Sequence, residues 1–202
     1  MDFKQKMHEK IKIYSNKKYL DGYINNEFMT DDGDADIFLN IGEKSELIDT
    51  WTYGNQIDLE SDVFDFIEEK SSMLDSDVQI NLHIIGTKFN SNEQGMIKHI
   101  LKEHYAIELY KVQKKYNMYK KKIISLFFTG FLSVLCYLIL YLYTDFEFFL
   151  EVFGFIFSFA LWEAFDALIY GFSEVKVERN DITQNLLMNI DFNYVDIEKD
   201  TE

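Results

Sequence analysis

Beyond Glu151 near its start, two carboxylates, Glu163 and Asp166, interrupt the apolar run from Phe148 to Phe172, inside the segment Trp162-Glu163-Ala164-Phe165-Asp166. If that run lies in lipid, an acidic charge near its middle costs about 2.5–3.5 kcal/mol on insertion scales, so each acid needs a partner or a task. The task would be to bind a proton or a cation, with Glu163 neutral or ion-bound inside an oligomer. The alternative is structural: Glu163 hydrogen-bonds across a helix pair, and Asp166, nearer the surface, reaches lipid headgroups. At about 100° per residue, Ala160, Ala164, Ala167 and Gly171 form a small-residue face bordered by Glu163, suited to close helix packing. Ser125, Thr129, Ser133 and Cys136 form a stripe on the preceding apolar run. Counting depth sets Thr129 level with Glu163 and Ser125 near Asp166, and the two stripes are expected to face each other.

Other chemistry-bearing residues do not assemble by spacing. The histidines are His8, His83, His99 and His104. His99 and His104 fall on different faces of a helix and do not offer a metal-ligand pair. His83 stands on a predicted strand, exposed or hydrogen-bonded. The acidic segment Asp31-Asp32-Gly33-Asp34-Ala35-Asp36 invites a calcium reading. Aligning Gly33 with the loop glycine of an EF-hand, however, puts Phe28 and Leu39 where the first and last carboxylates are required. It reads as an acidic turn leading into a strand. No P-loop, dinucleotide glycine pattern, nucleophile elbow or zinc pair is present. The expectation is a protein that is not an enzyme and uses neither metal nor cofactor.

The elements that would carry the acids are two apolar runs, Ile123–Tyr143 and Phe148–Phe172, each long enough for a helix to cross a hydrocarbon core about 30 Å thick. They predict an antiparallel transmembrane hairpin. The lysines among the first thirty residues leave no apolar core for a secretory signal. Lys114, Lys115, Lys120, Lys121 and Lys122 precede the first span, and the positive-inside rule holds that flank in the cytoplasm. Both termini are then cytoplasmic, in the inner (plasma) membrane, and the lysines face anionic headgroups. Cys136, the sole cysteine, lies in the first span, consistent with a reducing compartment. The chain lacks proline, and its single arginine among many Lys, Asn and Ile fits an AT-rich bacterial genome.

The soluble part reads as strands and helices in alternation. Residues from Asp2 to Phe28 carry a loose helical stripe with a basic face. Strands are predicted over Ile37–Ile41 and Val78–Ile85, and a short helix capped by Ser61 or Asp62 between them, after a polar stretch containing Trp51 and Tyr53. A small α+β sheet follows from this order, with a split βαβ arrangement as one form. Ser91 and Gln94 have capping-box spacing, and no breaker follows before Tyr143, so one helix of about 75 Å is expected from there. Within it Tyr105, Leu109, Val112, Tyr116, Tyr119 and Ile123 recur at coiled-coil spacing, a seam for self-association or for the chain's own C-terminal helix. Thr144 and Glu147 form a second capping box. Ser173–Met188 reads as a helix, and the alternation through Ile190, Phe192 and Tyr194 to Val195 as a strand returning to the sheet.

Charge is uneven within a net of −15. Glu27–Asp77 holds sixteen acids against Lys44 and Lys70, whereas Val78–Lys122 holds nine lysines against three glutamates. The acidic lobe excludes nucleic acid as an expected partner. The Trp-Glu-Ala-x-Asp run, with a small soluble domain before it, resembles uncharacterised bacterial two-span membrane proteins. That resemblance covers Leu150–Tyr194 and implies topology rather than an activity. The domains expected are a cytosolic α+β domain (1–90), a basic helical stem (91–122), a transmembrane hairpin (123–172) and a returning helix and strand (173–202). The function expected is a sensor or effector, in stress or defence, whose cytosolic domain meets a partner or ligand and controls a homo-oligomeric helix bundle that could conduct ions. The alternatives are a passive tether for cytosolic partners and a membrane-bound enzyme.

Overall fold

Alternation at two-residue spacing decides the sheet. In β1 (Ala35–Ile41) Ala35, Ile37, Leu39 and Ile41 are buried, and in β2 (Ile80–Gly86) Ile80, Leu82 and Ile84 are buried, while the residues between them point to the other face. The structure is a computed structural model that describes residues 5, 7, 10–12, 21–24, 27–49, 57–143 and 147–194. The Trp51 and Tyr53 stretch, the Thr144 cap, Val195 and much of the helix expected over Asp2–Phe28 lie outside them. The described residues of that expected helix, up to 24, are helical.

Between β1 and β2 runs α1 (Ser61–Ser71), whose Val63, Phe64 and Ile67 form a buried stripe at helical spacing. Glu60 holds its N-cap position without a side-chain cap bond, so neither Ser61 nor Asp62 caps it as expected. After β2 come α2 (Ser91–Tyr143), α3 (Glu147–Asp166), a π-helical segment (Ala167–Phe172), α4 (Ser173–Leu187) and β3 (Asn189–Tyr194). The chain is mostly helical, with one small sheet and two stretches long and apolar enough to cross a membrane, in α2 and in Glu147–Leu187.

The sheet has the order β1-β2-β3 and is parallel throughout, with Ile37 opposite Leu82 and Leu82 opposite Ile190. β1 and β2 are direct neighbours. No strand lies between them, which rules out the split βαβ form and makes β1-α1-β2 an ordinary parallel crossover. The second crossover, from β2 to β3, contains α2, α3, the π segment and α4. The expected returning strand is therefore the third strand of the sheet.

The chain divides into two compact units, one of residues 1–106 with 181–202 and one of residues 107–180. The first has a core of sheet residues with Val63, Phe64 and Ile67 of α1 and Ile97, Leu101 and Tyr105 of α2. Three side chains fasten the end of α4 to it. Lys102 Nζ donates to the carbonyls of Leu186 and Met188, Gln184 Nε2 to those of Asp75 (2.9 Å) and Val78 (2.8 Å), and Gln79 Nε2 to that of Leu187 (3.3 Å). Burial lowers the Lys102 pKa, aided by Lys98. The same burial supplies donors to helix-end carbonyls that have no partner within the helix.

The start of α2 is capped one residue earlier than expected. Asn90 Oδ1 accepts from the amides of Asn92 and Glu93, both at 3.0 Å, and Glu93 Oε2 accepts from the Asn90 amide at 2.8 Å. The box is Asn90 with Glu93, not Ser91 with Gln94, because a carboxylate returns the bond more strongly than an amide and meets Lys44 Nζ at 2.6 Å. Gln94 bonds the Phe89 carbonyl instead. The acidic segment forms the expected turn, closed by the Thr30 amide on the Asp34 carbonyl and by Gly33 at φ 88°.

Candidate functional site

The sequence-selected residues collect in the 107–180 unit, where α2 and α3 run antiparallel. Small residues set how close they come. Ala160, Ala164 and Ala167 are buried, and a Cβ on Gly130 would lie 3.6 Å from the Phe157 ring and 3.8 Å from Ala160 Cβ. Gly171 is tighter still: a Cβ there would stand 2.2 Å from Tyr119 Cε1. Polar contacts mark the register. Ser133 Oγ donates to the Phe153 carbonyl at 2.6 Å, and Lys122 Nζ lies 3.3 Å from Glu163 Oε2.

At Glu163 this register differs by roughly two helical turns from the expected one, since Lys122 and Thr129 are seven residues apart. Glu163 is level with Lys122, not with Thr129. Ser125 and Thr129 are exposed, and Thr129 Oγ1 donates to the Ser125 carbonyl of its own helix at 2.9 Å, so of that stripe only Ser133 is seen bonding across the pair. The physical reason is twofold. The alanine face seats against α2 only where α2 is narrow, at Gly130, and the acid gains a counter-charge where the lysine cluster begins. Asp166 is exposed.

Beyond Lys122 the same pairing continues alongside the lysine cluster. The Tyr116 ring lies 4.7 Å from that of Phe172 and 4.4 Å from the Arg179 guanidinium, and Lys115 Nζ lies 2.8 Å from Glu178 Oε2. The Glu178 carboxylate raises the Lys115 pKa. Lys114, Lys120 and Lys121 are exposed. The coiled-coil seam is spent here on the chain's own residues: Tyr116 and Tyr119 meet Phe172 and Gly171, and Val112 and Ile123 are buried.

Depth follows from these contacts. Gly171 and Phe172 lie beside Tyr119 and Tyr116, within the lysine-rich part of α2, and Glu163 meets Lys122, so the apolar stretch of α3 that pairs with Ile123–Tyr143 ends between Glu163 and Gly171. Glu163 then sits at the edge of the apolar zone rather than inside it. No family model matches the chain, and no curated protein or solved structure matches it either.

The sheet unit carries a second polar constellation that periodicity alone does not single out. On the face opposite the core, the register aligns Asp36 with Asn81 and Asn189, and Phe38 with His83 and Asp191. His83 Nε2 is 3.3 Å from Asp36 Oδ1, Asn81 Nδ2 donates to Asp36 Oδ1 at 3.1 Å, and the Phe38 and His83 rings stack at 5.0 Å. Phe38 is 55% exposed. Parallel sheets are usually apolar on both faces, and polar residues on alternate positions of all three strands were the available signal. Among the described residues no group of three metal-ligating side chains exists.

Proposed function

We propose that the protein is a bacterial integral membrane protein, a sensor or effector whose cytosolic sheet domain controls a helical hairpin in the plasma membrane, with both termini cytoplasmic. The observation that carries this is topological. β2 and β3 are hydrogen-bonded neighbours, yet everything between them in the chain is the apolar helix pair and its extensions. Both ends of the hairpin segment thus run directly into neighbouring strands of one sheet, and Lys102 and Gln184 fasten the α4 end beside them. A displacement of α2 against α4 would be felt at β2 and β3.

Membrane residence is supported by surface chemistry. Only 17% of the apolar window in each stretch is buried, unlike the core helix of a soluble fold. Phe128, Phe131, Leu142, Phe148, Phe155 and Trp162 are each more than 60% exposed, an apolar surface that water-soluble proteins rarely present.

The Lys122–Glu163 pair favours a second reading, a tether that does not conduct. The acid proposed to bind a proton or cation has a lysine beside it, and the hydroxyls of Thr129, Ser133 and Ser158 are bound to backbone carbonyls. The small-residue face is used within the chain, so self-association would rest on the exposed aromatic side of α3. Subunit counting in reconstituted bilayers separates the readings. An oligomer with ion flux that falls in Glu163→Gln supports the controlled bundle; monomers without flux at every density support the tether and overturn the bundle.

A further inference from the structure

An apolar groove of about 210 Å³ lies between α2 and α3, lined by Leu126, Phe127, Gly130, Phe131, Val134, Phe157 and Leu161. It is half open. An engineered apolar cavity of about 150 Å³ already takes a benzene-sized guest, so the groove has room for part of a hydrocarbon chain, and its lining offers an occupant almost no polar contact. Gly130 lines it at the closest approach of the two helices, beside Phe157 and Ala160.

We infer that this groove holds one acyl chain of an anionic phospholipid, whose phosphate is met by Lys120. The inference rests on the membrane placement of the hairpin proposed above. Charge complementarity selects the headgroup. Lys120, Phe127, Phe131 and Val134 are spaced by seven, four and three residues, so they form one stripe on α2 with the ammonium at its cytoplasmic end, about two turns from the mouth of the groove. Of the nearby cations, Lys122 faces Glu163 and Lys115 faces Glu178. Lys120 is exposed, with no carboxylate within ion-pair distance among the described residues. A lysine held at that depth by a helix reaches the phosphate plane while its methylenes follow the apolar surface.

Native mass spectrometry of the full chain in detergent, with added phosphatidylglycerol or phosphatidylcholine of the same acyl composition, tests this. The expected result is one retained lipid per chain, with phosphatidylglycerol preferred. Lys120→Gln should lower the apparent affinity for phosphatidylglycerol about fivefold, the equivalent of one lysine near an anionic surface, without touching phosphatidylcholine. Val134→Phe with Leu161→Phe should abolish retention of both while helix content stays unchanged. If those substitutions unfold the hairpin, Lys120→Gln alone decides. Equal retention of the two lipids, no response to Lys120→Gln, or a dimer mass with no lipid would overturn the inference. Failure of the membrane placement itself shows up separately, as release of the wild-type chain from membranes by alkaline carbonate.

Discussion

Lys122 and Glu163 face each other across the helix pair, Nζ to Oε2 at 3.3 Å, at the level where the lysine cluster of α2 gives way to its apolar run. Both side chains are partly exposed, so the pair is worth less than about 1 kcal/mol in aqueous surroundings. Its larger role is to neutralise an acid at the edge of the apolar run. Glu163→Leu should therefore be tolerated in detergent, shifting the unfolding midpoint by no more than a few degrees. Lys122→Leu leaves the carboxylate alone and should be the worse of the two. The charge-swapped double variant should return to near wild type. Thermal unfolding followed by circular dichroism checks all three, and equal losses in both single variants would remove the counter-charge role.

Gly171 is the most tightly packed glycine of the 107–180 unit. Its absent Cβ would stand 2.2 Å from Tyr119 Cε1, inside the π-helical segment that follows Asp166. Gly171→Ala should cost about 1–3 kcal/mol, as overpacking does. Removing the opposing ring should make the two changes non-additive: in Tyr119→Ala, the further cost of Gly171→Ala should fall below about 0.5 kcal/mol. A double-mutant cycle by chemical denaturation measures this, and strict additivity would mean the contact is not the source of the cost.

Gly86 ends β2 at φ 109°, where a Cβ would lie 2.3 Å from the Ile41 carbonyl oxygen and 2.9 Å from Asn40 Oδ1. Backbone strain and a clash with backbone coincide there, so Gly86→Ala should destabilise the sheet unit by more than the 1–3 kcal/mol typical of strain alone. Hydrogen exchange should show the loss at β1 and β2 first. Unchanged protection in those strands would contradict the placement of this turn.

The Glu93 carboxylate is held below its ordinary value of 4.5, first by Lys44 and then by the Asn90 amide. A lowered acid stabilises the fold in its charged form. Its contribution is complete above about pH 4.5 and is lost as the pH falls through the lower folded value. Between pH 6 and pH 3, Glu93→Gln should lose less stability than wild type, as read by denaturant midpoints across that range. Parallel pH profiles in the two proteins would show that the carboxylate is not the titrating group.

Much of the fold was legible from periodicity. Strands β1 and β2 announce themselves by strict alternation at Ile37-Leu39-Ile41 and Ile80-Leu82-Ile84, the apolar stretches by their length, and α2 by the absence of any breaker between Asn92 and Tyr143. Strand pairing was not, because Asn81 and Asn189 stand 108 positions apart and nothing local says whether neighbours run parallel. At the candidate site the alanine face was readable, since three alanines and a glycine at helical spacing have few other uses in an apolar helix. The partner of Glu163 was not. Counting depth from the cytoplasmic boundary assumes that both helices cross it at equivalent positions, and an error of two turns replaces a lysine with a threonine. The cap at Asn90 is hidden in the same way: Ser91 satisfies the pattern one position later, and the contact of Glu93 with Lys44, distant in sequence, favours Asn90.

The central claim is that the outward faces of α2 and α3 contact lipid, and cysteine accessibility tests it most directly. Cys136 is the sole native cysteine, so Cys136→Ser provides a clean background. Phe128 is 66% exposed on the apolar part of α2 and Tyr110 is 72% exposed on its polar part, so neither is shielded by the protein itself. In inverted membrane vesicles, a membrane-impermeant maleimide should label Tyr110→Cys promptly and leave Phe128→Cys unmodified until detergent is added. Equal, rapid labelling at both positions in intact vesicles would contradict the account.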